Sequence, residues 1–302
     1  RCRAPRAPDA FRILLTAMTA RIAHRGPDAD GFAVLDDGRV GFGHRRLSIV
    51  NLGADGNQPM TEASERVHVV FNGEIYNHET LRRELEAAGC LFRTRNSDTE
   101  VLVQGYLAWG WDGLLTRLHG MFAIVLWDAK ERRLFAVRDR LGIKPLYYAR
   151  LGEDLVFASE IKAMAGHPAF RAAINDVACL DILNVLATPA PMTLFDGIFK
   201  LAPGEYIAVE PGGRPRKVRW WTPPASAPDA NIAFDDVVER VRERLKQAVR
   251  MRIAGEVETS VMLSGGVDSS LVLAMASESG ARLRAFTASF VGDPLNEREP
   301  AA

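Results

Sequence analysis

Cysteine is scarce in this 302-residue chain: Cys2, Cys90 and Cys179 are the whole complement, and they stand far apart. That spacing offers neither a disulfide framework nor a zinc-ligand pattern, and it suits a reducing, cytoplasmic setting. Charge of one sign is lacking too, since 38 Lys plus Arg balance 38 Asp plus Glu. Bulk electrostatics therefore give no argument for nucleic acid or an anionic membrane as partner. No apolar run approaches the ~20 residues of a membrane span, and no internal repeat is visible. Near the start, Arg12 interrupts an apolar stretch that would otherwise mimic a signal peptide. Phe11, Leu14, Leu15, Met18 and Ile22 instead fall at helical spacing behind Asp9 as a cap, which predicts an amphipathic helix. What remains, 47% hydrophobic and 25% charged residues, is the composition of a soluble globular protein of about two domains.

The chain reads as strands broken by a few helices up to about residue 220. Residues 31–35, 40–50, 67–71, 121–127, 134–137, 146–149 and 155–158 have strand length and turn-like borders. Helices are clearest at residues 78–88, ended by Gly89, and 98–109, ended by Gly110. Ser97-Asp98-Thr99-Glu100 has the form of a capping box. The proline-rich stretch from Trp221 to Asp229 reads as a linker. Beyond it, Phe234, Val237, Val238, Val241, Leu245 and Val249 mark a second amphipathic helix. These signals divide the chain into residues 1–221, a linker at 222–233, and residues 234–302.

Ser264-Gly265-Gly266-Val267-Asp268-Ser269 lies between a strand-like run (257–263) and an apolar helical one (271–276). A strand feeding a glycine-rich turn that opens a helix presents backbone N–H groups, and the helix's positive end, to a phosphate. Ser264, Ser269 and Ser270 add hydroxyl donors, and Asp268 is the natural acidic partner for Mg2+. On its own such a turn could also be a serine- and glycine-rich bend capped by Asp268. The hexapeptide resembles the pyrophosphate loop of the ATP pyrophosphatase superfamily; the Gly-Lys-Ser/Thr ending of a Walker A loop is absent.

Four stretches in the first part carry further chemistry: His24-Arg25-Gly26-Pro27-Asp28, His44-Arg45-Arg46-Leu47-Ser48-Ile49-Val50, Phe71-Asn72-Gly73-Glu74-Ile75-Tyr76-Asn77, and Ser97-Asp98-Thr99-Glu100. With Arg138-Asp139-Arg140-Leu141-Gly142, Lys144-Pro145-Leu146-Tyr147-Tyr148 and Ala158-Ser159-Glu160-Ile161-Lys162, they resemble the glutamine-hydrolysing asparagine synthetases. The resemblance runs from about Leu14 to about Phe290. It implies an α+β N-terminal nucleophile hydrolase sandwich with αββα layering, a type 2 glutamine amidotransferase domain. The truncated start of an α/β ATP pyrophosphatase domain would follow. By position in the motifs, Arg46 would pair with the glutamine carboxylate and Asp98 with its ammonium, with Glu74 beside them. Asn72, through its side chain, and Gly73, through its backbone N–H, would form the oxyanion hole. Leu263 and Ala288 match positions lining an adenine site, so Leu263, Ser264, Gly265, Gly266, Asp268, Ser269 and Ala288 would bind ATP. Glutamine, aspartate, ATP and Mg2+ are the implied substrates and cofactors, and a homodimer is compatible with the family.

Each assignment has a plainer alternative. Asp98 would suit the first turn of a helix without any ligand, Arg46 could be a solvated strand arginine, and Asn72-Gly73 alone signals a turn. His24 and His44 receive no role. The resemblance also has two gaps. The family's mature chain begins with cysteine, whose free amine is the general base; here Arg1 precedes Cys2, and Arg3-Ala4-Pro5-Arg6-Ala7-Pro8 is poor strand material. The expectation is that Cys2 is coincidental and the nucleophile lies outside this chain; the alternative is cleavage after Arg1. The family's later acidic Ser-Gly-Glu-Gly-x-Asp-Glu segment is also missing. The chain as given is therefore expected neither to adenylate aspartate nor to make asparagine.

Overall fold

Pro8 needs no hydrogen-bond donor at the first helical position, and it opens α1 (Pro8–Ala20) in a computed structural model that describes residues 6–225, 232–253, 257–280 and 282–289. The cap residue is Ala7, with no side-chain cap bond, so Asp9 sits in the first turn and is not the cap the sequence suggested. A hairpin follows, β1 (Ala29–Leu35) and β2 (Val40–Arg46), paired antiparallel with Ala29 opposite Arg46. The predicted strand ran on to residue 50. It stops at Arg46, because residues 47–57 turn away to wrap that side chain, leaving Leu47 and Ile49 exposed.

The next elements are β3 (Met60–Thr61), β4 (Val67–Ile75), α2 (His78–Ala87), α3 (Asp98–Arg117), β5 (Gly120–Asp128), β6 (Arg133–Arg138), β7 (Tyr147–Leu151) and β8 (Asp154–Ala158). Then come α4 (Ile161–Met164), α5 (Asp176–Val185), β9 (Ile198–Lys200), β10 (Glu205–Val209) and β11 (Arg216–Arg219). A six-stranded sheet has the order β11-β10-β6-β5-β4-β3; β8-β7-β9 form a second sheet and β1-β2 a third.

Alternation along β5 builds the layers. Phe122, Ile124 and Leu126 pack with Val101, Leu102, Leu114 and Leu115 of α3. Ala123 and Val125 face the opposite way, towards Leu146, Tyr148 and Phe157 of the three-stranded side. Behind that small sheet, Met164 of α4 and Met18 of α1 close a further cluster around Ala149, Val156 and Ile198. The sequence of layers is thus helix, sheet, sheet, helix, as the αββα expectation had it.

Two helix details differ from the sequence reading. Gly110 does not end α3. It takes φ +69°, a left-handed value that favours glycine, and the helix continues beyond this kink to Arg117. The capping box is half made: Ser97 accepts from the Glu100 N–H at 3.4 Å, but the Glu100 carboxylate turns to the N–H groups of Arg93 and Thr94 at 2.7 and 2.8 Å.

The chain divides into two units, residues 1–223 and 224–302. The second holds α6 (Phe234–Ile253), β12 (Ser260–Met262), α7 (Val267–Glu278) and β13 (Arg284–Phe286), with β12 and β13 parallel. β12 is shorter than the strand-like run expected at 257–263. Val249, Met275 and Ala276 form the unit's small core. No helix among the described residues is long and apolar enough to cross a membrane.

Candidate active site

Strand alternation aims the site residues of the first unit. Along β4, Val67, Val69, Phe71 and Ile75 are buried towards the helices, so Asn72 and Glu74 point into the layer between the sheets. Asn72-Gly73 therefore lies inside a strand and not in a turn. Gly73 is a steric necessity: with φ +155°, a Cβ there would fall 2.0 Å from the Met121 carbonyl oxygen. Gly73→Ala should force β4 away from β5 and lower the unfolding midpoint measurably in urea, with fluorescence of the neighbouring core tryptophans as the probe.

On β2, Gly41 and Gly43 approach Phe11 and Thr19 of α1, which turns Phe42, His44 and Arg46 towards the inter-sheet layer. Arg46 is 7% exposed, so it is no solvated strand arginine. Its Nη1 donates to Gly53 O at 2.7 Å and Asn57 Oδ1 at 2.8 Å, and its Nη2 donates to Asn51 O. The loop thus fixes the guanidinium while other N–H donors of the fork remain for a ligand.

Asp98 is buried at the N-terminus of α3, and its Oδ2 accepts from the Ile75 N–H at the end of β4 at 3.1 Å. Burial pushes its carboxyl above the usual range, against the hydrogen bond from Ile75 and the nearby His78. Gln58 ties the same corner together: its Oε1 accepts from Phe71 N at 2.6 Å and its Nε2 donates to Thr99 Oγ1 at 3.3 Å.

Arg46, Asn72, Gly73, Glu74 and Asp98 all line one cavity of about 1020 Å3. The Asn72 Nδ2 is buried with no partner, and a buried donor left unpaired carries a desolvation cost that a ligand acceptor would relieve. Sequence reasoning gave no role to His44, which also lines this cavity. Its Nε2 lies 3.3 Å from Phe71 O, its Nδ1 is buried and unpartnered, and burial lowers its pKa to about 4, so it is neutral near pH 7. Its place two residues before Arg46 on the same strand face was the available signal. Lys144 lines the cavity as well; burial lowers its pKa and Arg25 adds to this, while Glu74 and Asp139 oppose them.

The other motifs build the frame. Arg138 donates to the carbonyls of Lys144, Leu201 and Gly142, and buried Asp139 accepts from Phe122, Leu141, Ile143 and Lys144 N–H groups. Glu160 gathers Arg25 at 2.9 Å, His24 at 3.0 Å and Lys162 at 3.2 Å. Burial would raise the Glu160 pKa, but hydrogen bonds from Arg25, Lys162 and His24, with the Lys162 charge, hold it down to about 2. Its contribution should be intact above its ordinary value of 4.5 and vanish as pH falls towards about 2. Acid titration of stability in Glu160→Gln should therefore be flatter than wild type across that window.

In the second unit, β12 leads through Leu263 into Ser264-Gly265-Gly266 and α7. Gly265 has φ +74°. Ser264 and Ser269 hydroxyls lie 3.0 Å apart, and Ser264 Oγ accepts from Gly266 N at 3.3 Å. Asp268 occupies the first turn of α7. Leu263 N donates to Phe286 O at 2.8 Å, and Ala288 follows β13 by two residues, so both lie past the carboxyl ends of their parallel strands. Among the described residues no group of three His, Cys, Asp or Glu could hold a metal. Cys2 lies outside the described residues.

This fold recurs in solved amidotransferases. The glutamine phosphoribosylpyrophosphate amidotransferase of B. subtilis superposes with TM-score 0.52 at 20% identity, over 91% of this chain and 63% of that one. Its likeness is consistent with an N-terminal nucleophile hydrolase fold. A family model described as glutamine amidotransferase domain matches residues 5–221, and one described as asparagine synthase matches residues 240–302. The chain belongs to the glutamine amidotransferase domain family, and it is similar to glutamine-hydrolysing asparagine synthetases. Asparagine synthetase [glutamine-hydrolyzing] 3 of Bacillus subtilis is 37% identical over 86% of this chain and 41% of its own length. Amidase chry2 of Gibberella zeae is 39% identical over 85% of this chain and 37% of its own. The chain therefore spans less than half the length of these curated relatives.

Proposed function

We propose that the first unit binds glutamine and that the whole protein splits it to glutamate and ammonia. Arg46 would hold the substrate carboxylate by its planar fork, and Asp98, with Glu74 near, would hold the ammonium. The side-chain amide would then lie at Asn72 and Gly73, whose N–H groups would donate to the carbonyl oxygen as it gains charge. The observation that carries this reading is the buried, partnerless Asn72 amide in the cavity that Arg46 and Asp98 also line.

The nucleophile would be a residue other than Cys2. An intact mass lacking Arg1, with glutaminase activity abolished by Cys2→Ala, would instead make Cys2 the nucleophile. In the whole protein, ammonia would attack an aspartyl-adenylate. The residues at 263–269 suit ATP phosphates: Gly265 takes a backbone angle open to glycine, and α7 turns its N-terminus to the loop. When bound, ATP supplies the activation of the acceptor carboxylate. Mg2+ would rest on Asp268 and phosphate oxygens, the usual arrangement for that ion. The match to an amidase supports a second reading, in which the same plan serves an acceptor other than aspartate. Assaying the whole protein for asparagine against other amidated carboxylates decides between them.

A further inference from the structure

Asn72 Nδ2 is a buried donor without a partner in the cavity, and His44 Nδ1 is its counterpart among the acceptors. The tautomer of His44 follows from its other nitrogen. β3 pairs with β4 only as far as Met60 opposite Val69, so the next backbone groups on that edge, the N–H and C=O of Phe71, are met by side chains. Gln58 Oε1 accepts from the N–H at 2.6 Å, and His44 Nε2 donates to the carbonyl oxygen at 3.3 Å. A carbonyl oxygen only accepts, so Nε2 carries the hydrogen and Nδ1 keeps a bare lone pair. Burial, which lowers the pKa to about 4, holds the ring in this neutral form at pH 7. Among the described residues, Nδ1 is the one buried side-chain acceptor lining this cavity that has no partner.

The bond to Phe71 also fixes where that lone pair lies. The Phe71 carbonyl belongs to the peptide that leads into Asn72, so His44 is anchored beside the residue that would take the glutamine carbonyl. It shares its strand face with Arg46, two residues on. A buried acceptor left bare carries a desolvation cost, as a bare donor does. One neutral group relieves both at once: a primary carboxamide, whose oxygen accepts from Asn72 and whose N–H donates to His44. We propose that His44 is a specificity-determining residue of this pocket, its Nδ1 accepting a hydrogen bond from the carboxamide NH2 of glutamine and so selecting the amide over the corresponding acid or ester. This assignment rests on glutamine being the ligand of the cavity. With Asn72 on the oxygen and His44 on the nitrogen, the amide plane has one orientation, which is what attack on its carbon requires. A γ-carboxylate has no hydrogen to give and would set oxygen lone pairs against Nδ1; an ester would do the same with its alkoxy oxygen. Sites that hydrogen-bond a substrate N–H reject analogues without it, because a buried group is then left unpaired.

The test titrates the full chain with glutamine and with the γ-methyl ester of glutamate, which is neutral and keeps the carbonyl oxygen but offers no N–H. By calorimetry, wild type should bind glutamine at least ~10-fold more tightly than the ester, and His44→Phe, shown folded by circular dichroism, should bring the two within ~3-fold of each other. A histidine that only held β2 against β4 would weaken both ligands alike on substitution. An unchanged ratio in the variant therefore overturns the proposal. A second measurement needs no variant: in wild type labelled at histidine, the nitrogen NMR resonance of His44 Nδ1 should move on adding glutamine and stay in place with the ester. Movement with both, or with neither, overturns the proposal as well. If wild type binds the two ligands equally, the role of His44 falls and the glutamine pocket stands; if the folded chain binds neither, both fall together.

Discussion

Asp139→Ala should destabilise the first unit by at least ~4 kcal/mol in urea unfolding. The side chain is 1% exposed, and its two oxygens accept from four backbone N–H groups between Phe122 and Lys144. The bond to Phe122 is buried and the other three are partly so; at about 1–3 kcal/mol for a donor left unpaired the four together reach that figure, and the turn they form carries Lys144 to the cavity. Asp139→Asn would retain one oxygen and its two donors but set an NH2 group against the other two. It should therefore fall between wild type and alanine. Domain stabilities of ~5–15 kcal/mol leave little margin for the alanine variant.

The second large effect separates binding from stability. Asp98→Asn should weaken glutamine binding by ~10–100-fold, the value of about 1.5–3 kcal/mol carried by a hydrogen bond to a charged group. Its stability near pH 7 should hold or rise. Burial raises the folded-state pKa of Asp98 above its unfolded value, so the folded state takes up this proton more readily, and the ionised carboxylate costs stability above that pKa. Acidification through it should stabilise wild type relative to the variant while glutamine affinity falls. A carboxylate serving only the helix terminus would give the reverse, with stability lost on substitution and no change for glutamine.

Much of the first unit was legible because strand burial alternates with period two, and the predicted cores at residues 67–71, 121–127 and 134–137 sit within observed strands. Local signals failed where tertiary contacts override them. Asn72-Gly73 signals a turn, yet β4 runs straight through it because β5 pairs it as far as Ile75 with Gly120. Gly110 signals a stop, yet Trp111, Leu114 and Leu115 bury against the sheet and draw α3 onward. Arg46 and Asp98 were legible as types and positions, whereas their burial was not, since the loop around Arg46 is ordered by the guanidinium itself. His44 received no role because its place two residues before Arg46 gains meaning only once its Nδ1 is seen buried without a partner.

The central claim is a glutamine pocket made by Arg46, Asn72, Gly73, Glu74 and Asp98. Calorimetric titration of the purified chain with glutamine tests it most directly. The account predicts saturable one-to-one binding that Asp98→Asn weakens ~10–100-fold without loss of folding. Absence of binding to the folded wild-type chain, or equal affinity in the Asp98→Asn variant, would contradict it.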